Sequence, residues 1–492
     1  MASLLNIAIF LPLVGAFIIS LFRNEWLTKV VSIALSGVVF VISLILLFNF
    51  DPDSHHFLYR TTVPWISSLG INYDVGLDGL GVSLFTLTAL IFFTVFIWAV
   101  KVKEKPNLFY ALFLILETTC LGTFSALDLF LFYLFWEGML VPMYFIIGFW
   151  GHDRKVYAAN KFFIYTFFGS LFLLLGLATM IVYGYFISGH ISFEYDFHKH
   201  IAYPLWLQII LFILFGIGFA VKVPMWPVHT WLPDAHVEAP TAGSVVLAGV
   251  LLKMGTFGFV RYSLPLFPQA SKIFIPVMFI LSVIAIIYAA MMAISQTNIK
   301  KLIAYSSISH MGMVTLGTFA LSVSAINGAS YMMIAHGLSS AALFYAAGFI
   351  YDRFHSYEMS DLGGIAKYLP NFAILFMISG LASIGLPGFS GFVSEFLILL
   401  GTFKYFPIWA IIAGVGMVLG AAYFLYMYKN VMLESASLPE SKIQKLQHTT
   451  DVEIHHIIPF VLILFGAFIM GIMPYNFVNI ISQTSKLIMG SF

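Results

Sequence analysis

Long apolar runs separated by short polar breaks extend over nearly the whole chain. Most of them hold roughly 20 residues, the length that an α-helix needs to cross the hydrocarbon core of a bilayer. The pattern therefore predicts an all-α polytopic membrane protein with fourteen spans. The predicted spans cover residues 4–21, 28–50, 80–100, 108–127, 129–149, 162–187, 204–223, 241–262, 273–294, 302–322, 325–350, 372–403, 407–428 and 457–481.

Two of the predicted spans are interrupted by proline and glycine. The seventh runs into four prolines between residues 224 and 240, and the twelfth contains Pro387 between Gly385 and Gly388. Proline removes a backbone N–H and clashes with the preceding turn, so each of these helices is expected to be broken. Paired broken helices are typical of transporters built from inverted repeats. We therefore predict two inverted five-helix repeats, formed by helices 4–8 and 9–13.

The spacing of ionisable residues supports this repeat. Glu137 and Lys222 are as far apart along the chain as His310 and Glu395, which aligns helix 5 with helix 10 and helix 7 with helix 12. We accordingly divide the chain into an N-terminal three-helix segment (1–107), a first repeat (108–263), a second repeat (264–430) and a C-terminal loop with helix 14 (431–492).

Composition restricts the function to chemistry inside a bilayer. Only 9% of the 492 residues are charged and 61% are hydrophobic, whereas soluble domains carry about 25% charged residues. The single cysteine, Cys120, excludes a disulfide framework or a cysteine-ligated cluster within this chain. It has no dinucleotide-binding glycine fingerprint and no phosphate-binding loop, so we expect neither NADH binding nor ATP hydrolysis by this chain alone. The net charge of +1 without basic blocks argues against nucleic acid as a partner.

The distribution of lysine and arginine predicts the orientation of the helices. Fifteen of the 23 lie in loops after odd-numbered helices and six in loops after even-numbered helices. Cytoplasmic loops carry an excess of positive charge, so both termini are expected on the outer side. The first run lacks a positively charged flank, which predicts an uncleaved helix rather than a signal peptide. The remaining two basic residues, Lys222 and Lys253, lie in apolar sequence.

Five charged residues are predicted at membrane depth, where each costs at least about 2.5–3.5 kcal/mol on insertion scales and is usually functional. They are Glu117, Glu137, Lys222, Lys253 and Glu395. Two histidines also lie near the middle of apolar runs. The candidate residues for proton transfer are therefore Glu137, Lys222, Lys253, His310, His336 and Glu395.

The chemistry of these side chains at low dielectric suits proton movement. Burial favours the neutral forms of carboxylates and lysines, and a nearby opposite charge favours the charged forms. A glutamate and a lysine whose separation changes can therefore load a proton onto the lysine or release it. Histidine can relay a proton between its two ring nitrogens.

Each candidate also has a purely structural explanation. Lys222 could extend to the membrane interface, and Lys253 and Glu137 could be static members of buried pairs. The two histidines could be satisfied interior residues, and Glu395 could cap a half-helix after the break. For Glu117 a helix-packing hydrogen bond and a role in transport stay equally open.

Five motifs carry a family resemblance. They are FWEGMLVPMYF, AVKVPMWPVHTWLPDAHVEAPTAGSVVLAGVLLKMG, IAYSSISHMG, MIAHGLSSAALF and GLPGFSGFVSEF. Together they resemble the antiporter-like membrane subunits of respiratory complex I, the proton-translocating NADH–quinone oxidoreductase. With a glutamate at position 395, the chain resembles the M type (chain 4) of this family, because the L and N types carry a lysine at that position. The D-type subunit of multisubunit Na+/H+ antiporters is the alternative, and a non-transporting membrane scaffold is a third hypothesis.

The resemblance implies a role for each candidate residue. Glu137 and Lys222 would be the coupled pair on helices 5 and 7. Lys253 would pass the proton to a central axis continued by the two histidines, and Glu395 would donate it to the outside.

The resemblance also implies where the cofactors and partners lie. NAD(H), FMN, iron–sulfur clusters and quinone would be bound by partner subunits, with no cofactor or metal in this chain. The implied partners are the L-type, N-type and small membrane-arm subunits, the lipid bilayer and protons. The implied location is the energy-transducing inner or plasma membrane of a bacterium.

Overall fold

A computed structural model describes residues 1–434 and 451–492, most of which lie in α-helices. The helices are α1 (Ala2–Ser20), α2 (Glu25–Phe48), α3 (Gly79–Trp98), α4 (Pro106–Ser125), α5 (Leu129–Trp150), α6 (Lys155–Ser188), α7a (Leu205–Lys222), α7b (Trp231–Glu238), α8 (Thr241–Leu266), α9 (Pro268–Ile294), α10 (Ile299–Phe319), α11 (Val323–Phe354), α12a (Pro370–Ser383), α12b (Ser390–Phe403), α13 (Pro407–Leu433), α14 (Ile454–Ile472) and α15 (Pro474–Met489). A short helix, Tyr195–His200, follows α6. Lys442 and Lys445, which contributed to the predicted orientation, lie outside the described residues.

The predicted all-α membrane fold is confirmed. Twelve helices in the described ranges are long and apolar enough to cross a membrane. The other two spans are α10, which is less apolar because it carries residues such as Lys300 and His310, and α12, whose two halves are each shorter than a full span.

The two five-helix units share one internal plan. In α4–α8 and in α9–α13 the fourth helix is broken, by residues 223–230 in the first unit and by residues 384–389 in the second. An odd number of spans brings the start of the second unit to the opposite side of the membrane from the start of the first. If all five helices of the first unit cross the membrane, the two units run in opposite senses, as the inverted repeats require.

Two helices, α8 and α11, form the centre of the bundle. Their apolar stretches are wholly buried inside the protein, whereas peripheral helices expose side chains such as Phe17, Val141 and Phe465. Polar side chains on α8 and α11 are therefore surrounded by protein. Buried polar groups are tolerated there only where they have hydrogen-bonding partners. The polar side chains on α8 and α11 are therefore candidates for a functional role.

Two features were not predicted from the apolar runs. A β-hairpin, β1 (Leu58–Ile66) antiparallel to β2 (Ile71–Leu77), connects α2 to α3. The single span predicted over 457–481 is wrong at its C-terminal end, because α14 ends at Ile472 and α15 begins at Pro474. Pro474 has no N–H with which to continue the helical hydrogen bonding of α14. One face of α15 packs on the start of α3, where Thr484 Oγ1 accepts a 3.2 Å hydrogen bond from the Gly79 N–H.

Candidate functional site

Glu137 lies beside a local break in α5. Regular helix stops at Gly138 and resumes at Leu140, because Pro142 lacks the N–H that would bond the Gly138 carbonyl. Glu137 is half-buried, and its Oε1 has no hydrogen-bond partner among the described residues. Ser170 on α6 forms a hydrogen bond with this carboxylate, so the break leaves Glu137 inside the bundle with one side-chain partner and one unpaired oxygen among the described residues.

Lys222 is the last residue of α7a and points into the bundle. Its side chain is 3% exposed, with Nζ 3.4 Å from Met139 Sδ and 5.0 Å from the centre of the Trp136 ring. A cation at the C-terminal end of a helix is also favoured by the helix dipole. Its burial rules out the extended, interface-reaching conformation considered above.

Glu137 and Lys222 act on each other electrostatically without a closed contact. The ion pairs within 4.0 Å in the described part of the chain involve other residues. The ammonium group is therefore held by a thioether, an aromatic face and a more distant carboxylate. Such a loosely held lysine can change its partner and its protonation state with small side-chain movements.

Lys253 lies at the centre of α8, between the π-helical turns Leu247–Leu251 and Phe259–Ser263. Turns of this kind are rare and frequently occur at functional sites. The fully buried Lys253 donates to the Ala248 carbonyl, and its Nζ lies 2.7 Å from Nδ1 of His336 on α11. The structure therefore joins lysine and histidine directly, across the two most buried helices.

The row of polar groups continues from His336 across two further helices. The His310 ring on α10 lies 5.4 Å from the His336 ring, nearly perpendicular to it. His310 Nε2 lies 3.4 Å from the hydroxyl of Tyr423 on α13. Tyr423 was not predicted, because a tyrosine within an apolar run carries no signal that distinguishes it from packing residues.

Glu395 lies beside the break in α12. It is 3% exposed, and its Oε2 has no hydrogen-bond partner in the described ranges. Glu395 lies in the second turn of α12b, which begins after Phe389, so it does not cap the half-helix. A Cβ added to Gly385 would lie 2.6 Å from Glu395 Oε2, which shows how closely the unwound segment follows the carboxylate.

Glu117 has a partner on a different helix, α2. Its Oε1 accepts a 3.0 Å hydrogen bond from Ser36 on α2. This contact joins α4 to α2, as a helix-packing hydrogen bond would.

Two basic residues that were assigned to loops are in fact buried. Lys300, in the first turn of α10, is fully buried and donates to the Ala239 carbonyl just after α7b. Arg261, in the last part of α8, is 5% exposed and pairs with Asp78. The sequence analysis missed both, because it assigned every charged residue at the end of an apolar run to a solvent-exposed loop.

The side chains of the site suit proton transfer better than metal binding. Within residues 1–434 and 451–492, no group of three or more His, Cys, Asp or Glu side chains is arranged to hold a metal ion. From Lys253 through His336 and His310 to Tyr423, neighbouring groups that can gain or lose a proton lie within hydrogen-bond or ring-contact distance of one another.

Comparisons with known proteins show the family of the chain. The family described as "NADH:quinone oxidoreductase/Mrp antiporter, TM" matches residues 126–420. The chain is 42% identical over 486 residues to NADH-quinone oxidoreductase subunit M of Rickettsia typhi, covering 97% of each chain. It is 40% identical over 472 residues to NADH-ubiquinone oxidoreductase chain 4 of Arabidopsis thaliana, covering 95% of this chain and 93% of that one.

Solved structures share the fold over nearly the whole chain. A chain of respiratory complex I from Thermus thermophilus with bound NADH gives a TM-score of 0.88 at 28% identity, covering 98% of this chain and 99% of that one. A chain of the Mrp complex from Dietzia sp. DQ12-45-1b gives a TM-score of 0.83 at 20% identity, covering 98% of this chain but 52% of that one. The chain belongs to the NADH:quinone oxidoreductase/Mrp antiporter transmembrane family and, within it, to the subunit M (chain 4) group.

Proposed function

We propose that this chain is a proton-translocating subunit in the membrane arm of an NADH–quinone oxidoreductase. The observation that carries the proposal is the buried row from Lys253 through His336 and His310 to Tyr423, which crosses the centre of the bundle. The helix that carries Tyr423 packs against the broken helix that carries the buried Glu395. The names of the relatives support the same assignment. NADH, FMN, iron–sulfur clusters and quinone would be bound by partner subunits, and this chain would move protons in response to their chemistry.

The first step is a change in the separation of Glu137 and Lys222. Two unit charges that approach to about 4 Å attract each other by roughly 4 kcal/mol at an effective dielectric near 20. Closing the pair therefore loads a proton onto Lys222, and opening it favours release toward Lys253 on the adjacent helix. From Lys253 the proton passes to His336, then to His310, and leaves through Glu395.

The orientation and the division of the chain are part of the proposal. The loops after odd-numbered helices would face the cytoplasm, and both termini would lie on the outer side. The segments 108–263 and 264–430 would act as two half-channels that meet near Lys253. Membrane-arm subunits of the same complex would pack on the lipid-facing surfaces.

The test is NADH-driven proton uptake by membrane vesicles that contain the assembled complex with Lys222→Ala or Glu137→Gln. We expect both variants to assemble and to lose most proton translocation, because the loading pair is gone. Lys199→Ala, at an exposed position, is the matched control and should behave as wild type. Undiminished translocation by correctly assembled Lys222→Ala complex would refute the proposal.

The two alternatives predict other results. Sodium-dependent dissipation of a pH gradient without NADH would instead identify an antiporter subunit. A scaffold predicts that replacing all five deep charges with apolar residues leaves translocation intact.

A further inference from the structure

We propose that Tyr423 carries the proton between His310 and Glu395. This inference rests on the proposed function, and it names a residue that neither the sequence motifs nor the charged set includes. No hydrogen bond joins His310 directly to Glu395 among the described residues. The Tyr423 hydroxyl lies 3.4 Å from His310 Nε2. Tyr423 lies on α13, which packs against α12b, the half-helix that carries the buried Glu395, and the Glu395 charge acts on the phenol.

The surroundings of Tyr423 set it apart from other buried tyrosines of the bundle. The Tyr428 hydroxyl donates to the Ala373 carbonyl at 3.1 Å, and the Tyr331 hydroxyl donates to the Met470 carbonyl at 2.5 Å. Both of these bonds fasten one helix to another through the backbone. The Tyr423 hydroxyl is equally buried, but it faces titratable side chains.

Both neighbours of Tyr423 have the hydrogen-bonding capacity that a relay needs. Nε2 of His310 can donate its proton to the phenolic oxygen, which has free lone pairs. Glu395 Oε2 has no hydrogen-bond partner among the described residues and can accept a proton. The Ser306 hydroxyl, about one turn before His310 on α10, also contacts the phenol and keeps it oriented when the histidine is neutral.

The transfer step balances without an added reactant. The Nε2–H bond of protonated His310 breaks as a new O–H bond forms on the phenol. The original phenolic proton moves at the same time to the Glu395 carboxylate, directly or through one water. Tyr423 is neutral before and after the step, and rotation of its hydroxyl resets it.

Tyr423→Phe in the assembled complex tests this step, with Tyr428→Phe on the same helix as the matched control. A positioned proton-transfer group typically contributes about 10²–10⁴-fold in rate. We therefore expect NADH-driven translocation to fall at least about 10-fold in Y423F. We expect no such loss in Y428F. Translocation is normalised to NADH–ferricyanide activity, which counts assembled enzyme and corrects for poor assembly.

Two further readouts separate proton transfer from a structural role. Y423F should show a larger solvent deuterium isotope effect on translocation than Y428F. Tyr423→His, which restores a group able to carry a proton, should recover part of the loss. If Y423F matches wild type while Glu395→Gln and Lys222→Ala lose translocation, the relay is refuted and the proposed function stands. If Glu395→Gln and Lys222→Ala are also unaffected, the proposed function itself fails.

Discussion

Gly385→Ala is expected to displace the Glu395 carboxylate and so to slow proton release. Gly385 has φ of +71°, a conformation that costs an L-residue about 1–2 kcal/mol. The added Cβ would lie 2.6 Å from Glu395 Oε2, so the carboxylate must move by about 0.8 Å to reach ordinary contact at 3.4 Å. A misplacement of about 1 Å can lower the rate of a positioned reaction by about 10²-fold.

Gly388→Ala is the matched control for this substitution. Gly388 also has a positive φ, +105°, but an added Cβ there would have no heavy atom within 4 Å. Both variants should therefore lose stability, measured as the unfolding temperature of the detergent-solubilised complex. Only Gly385→Ala should lose proton translocation in vesicles, by about 10-fold to 10²-fold. Equal translocation by the two variants would refute the steric argument.

Two other predictions test the centre of the row and an outer segment. Lys253→Met should assemble normally, because methionine replaces the buried ammonium with an apolar chain of similar length. The variant should lose translocation in vesicles, because the 2.7 Å contact between Lys253 Nζ and His336 is gone. Wild-type translocation by this variant would contradict the role of Lys253. His198, outside the spans, is buried between the Tyr203 hydroxyl and the Ser192 carbonyl, and burial lowers its pKa from the ordinary 6.5 to about 4. Because the unfolded histidine takes up a proton below about pH 6.5, the stabilisation from neutral His198 is complete above that pH and is lost as the pH falls toward 4. His198→Phe should make the unfolding temperature depend less on pH between about 6.5 and 4. The same pH dependence in the variant and the wild type would count against this reasoning.

The sequence by itself determined the class of protein, the spans and most of the candidate residues. The bilayer core has a fixed thickness, so apolar runs of matching length can be counted without knowing how the helices pack. Proline and glycine act locally, so the breaks in helices 7 and 12 could also be placed. Charges are so rare in this chain that Glu137, Lys222, Lys253 and Glu395 could be found by removing those assigned to loops.

Only the tertiary structure decided which of these residues meet. Tyr423 proved to lie beside His310, Lys300 and Arg261 proved to be buried, and α14 proved shorter than its apolar run. The physical reason is that lipid and protein interior are both apolar, so the hydrophobic pattern does not show which face of a helix is turned inward. Contacts between helices depend on the rotation of each helix and on how closely it packs. Those quantities are set by side chains from distant parts of the chain, and no local pattern records them.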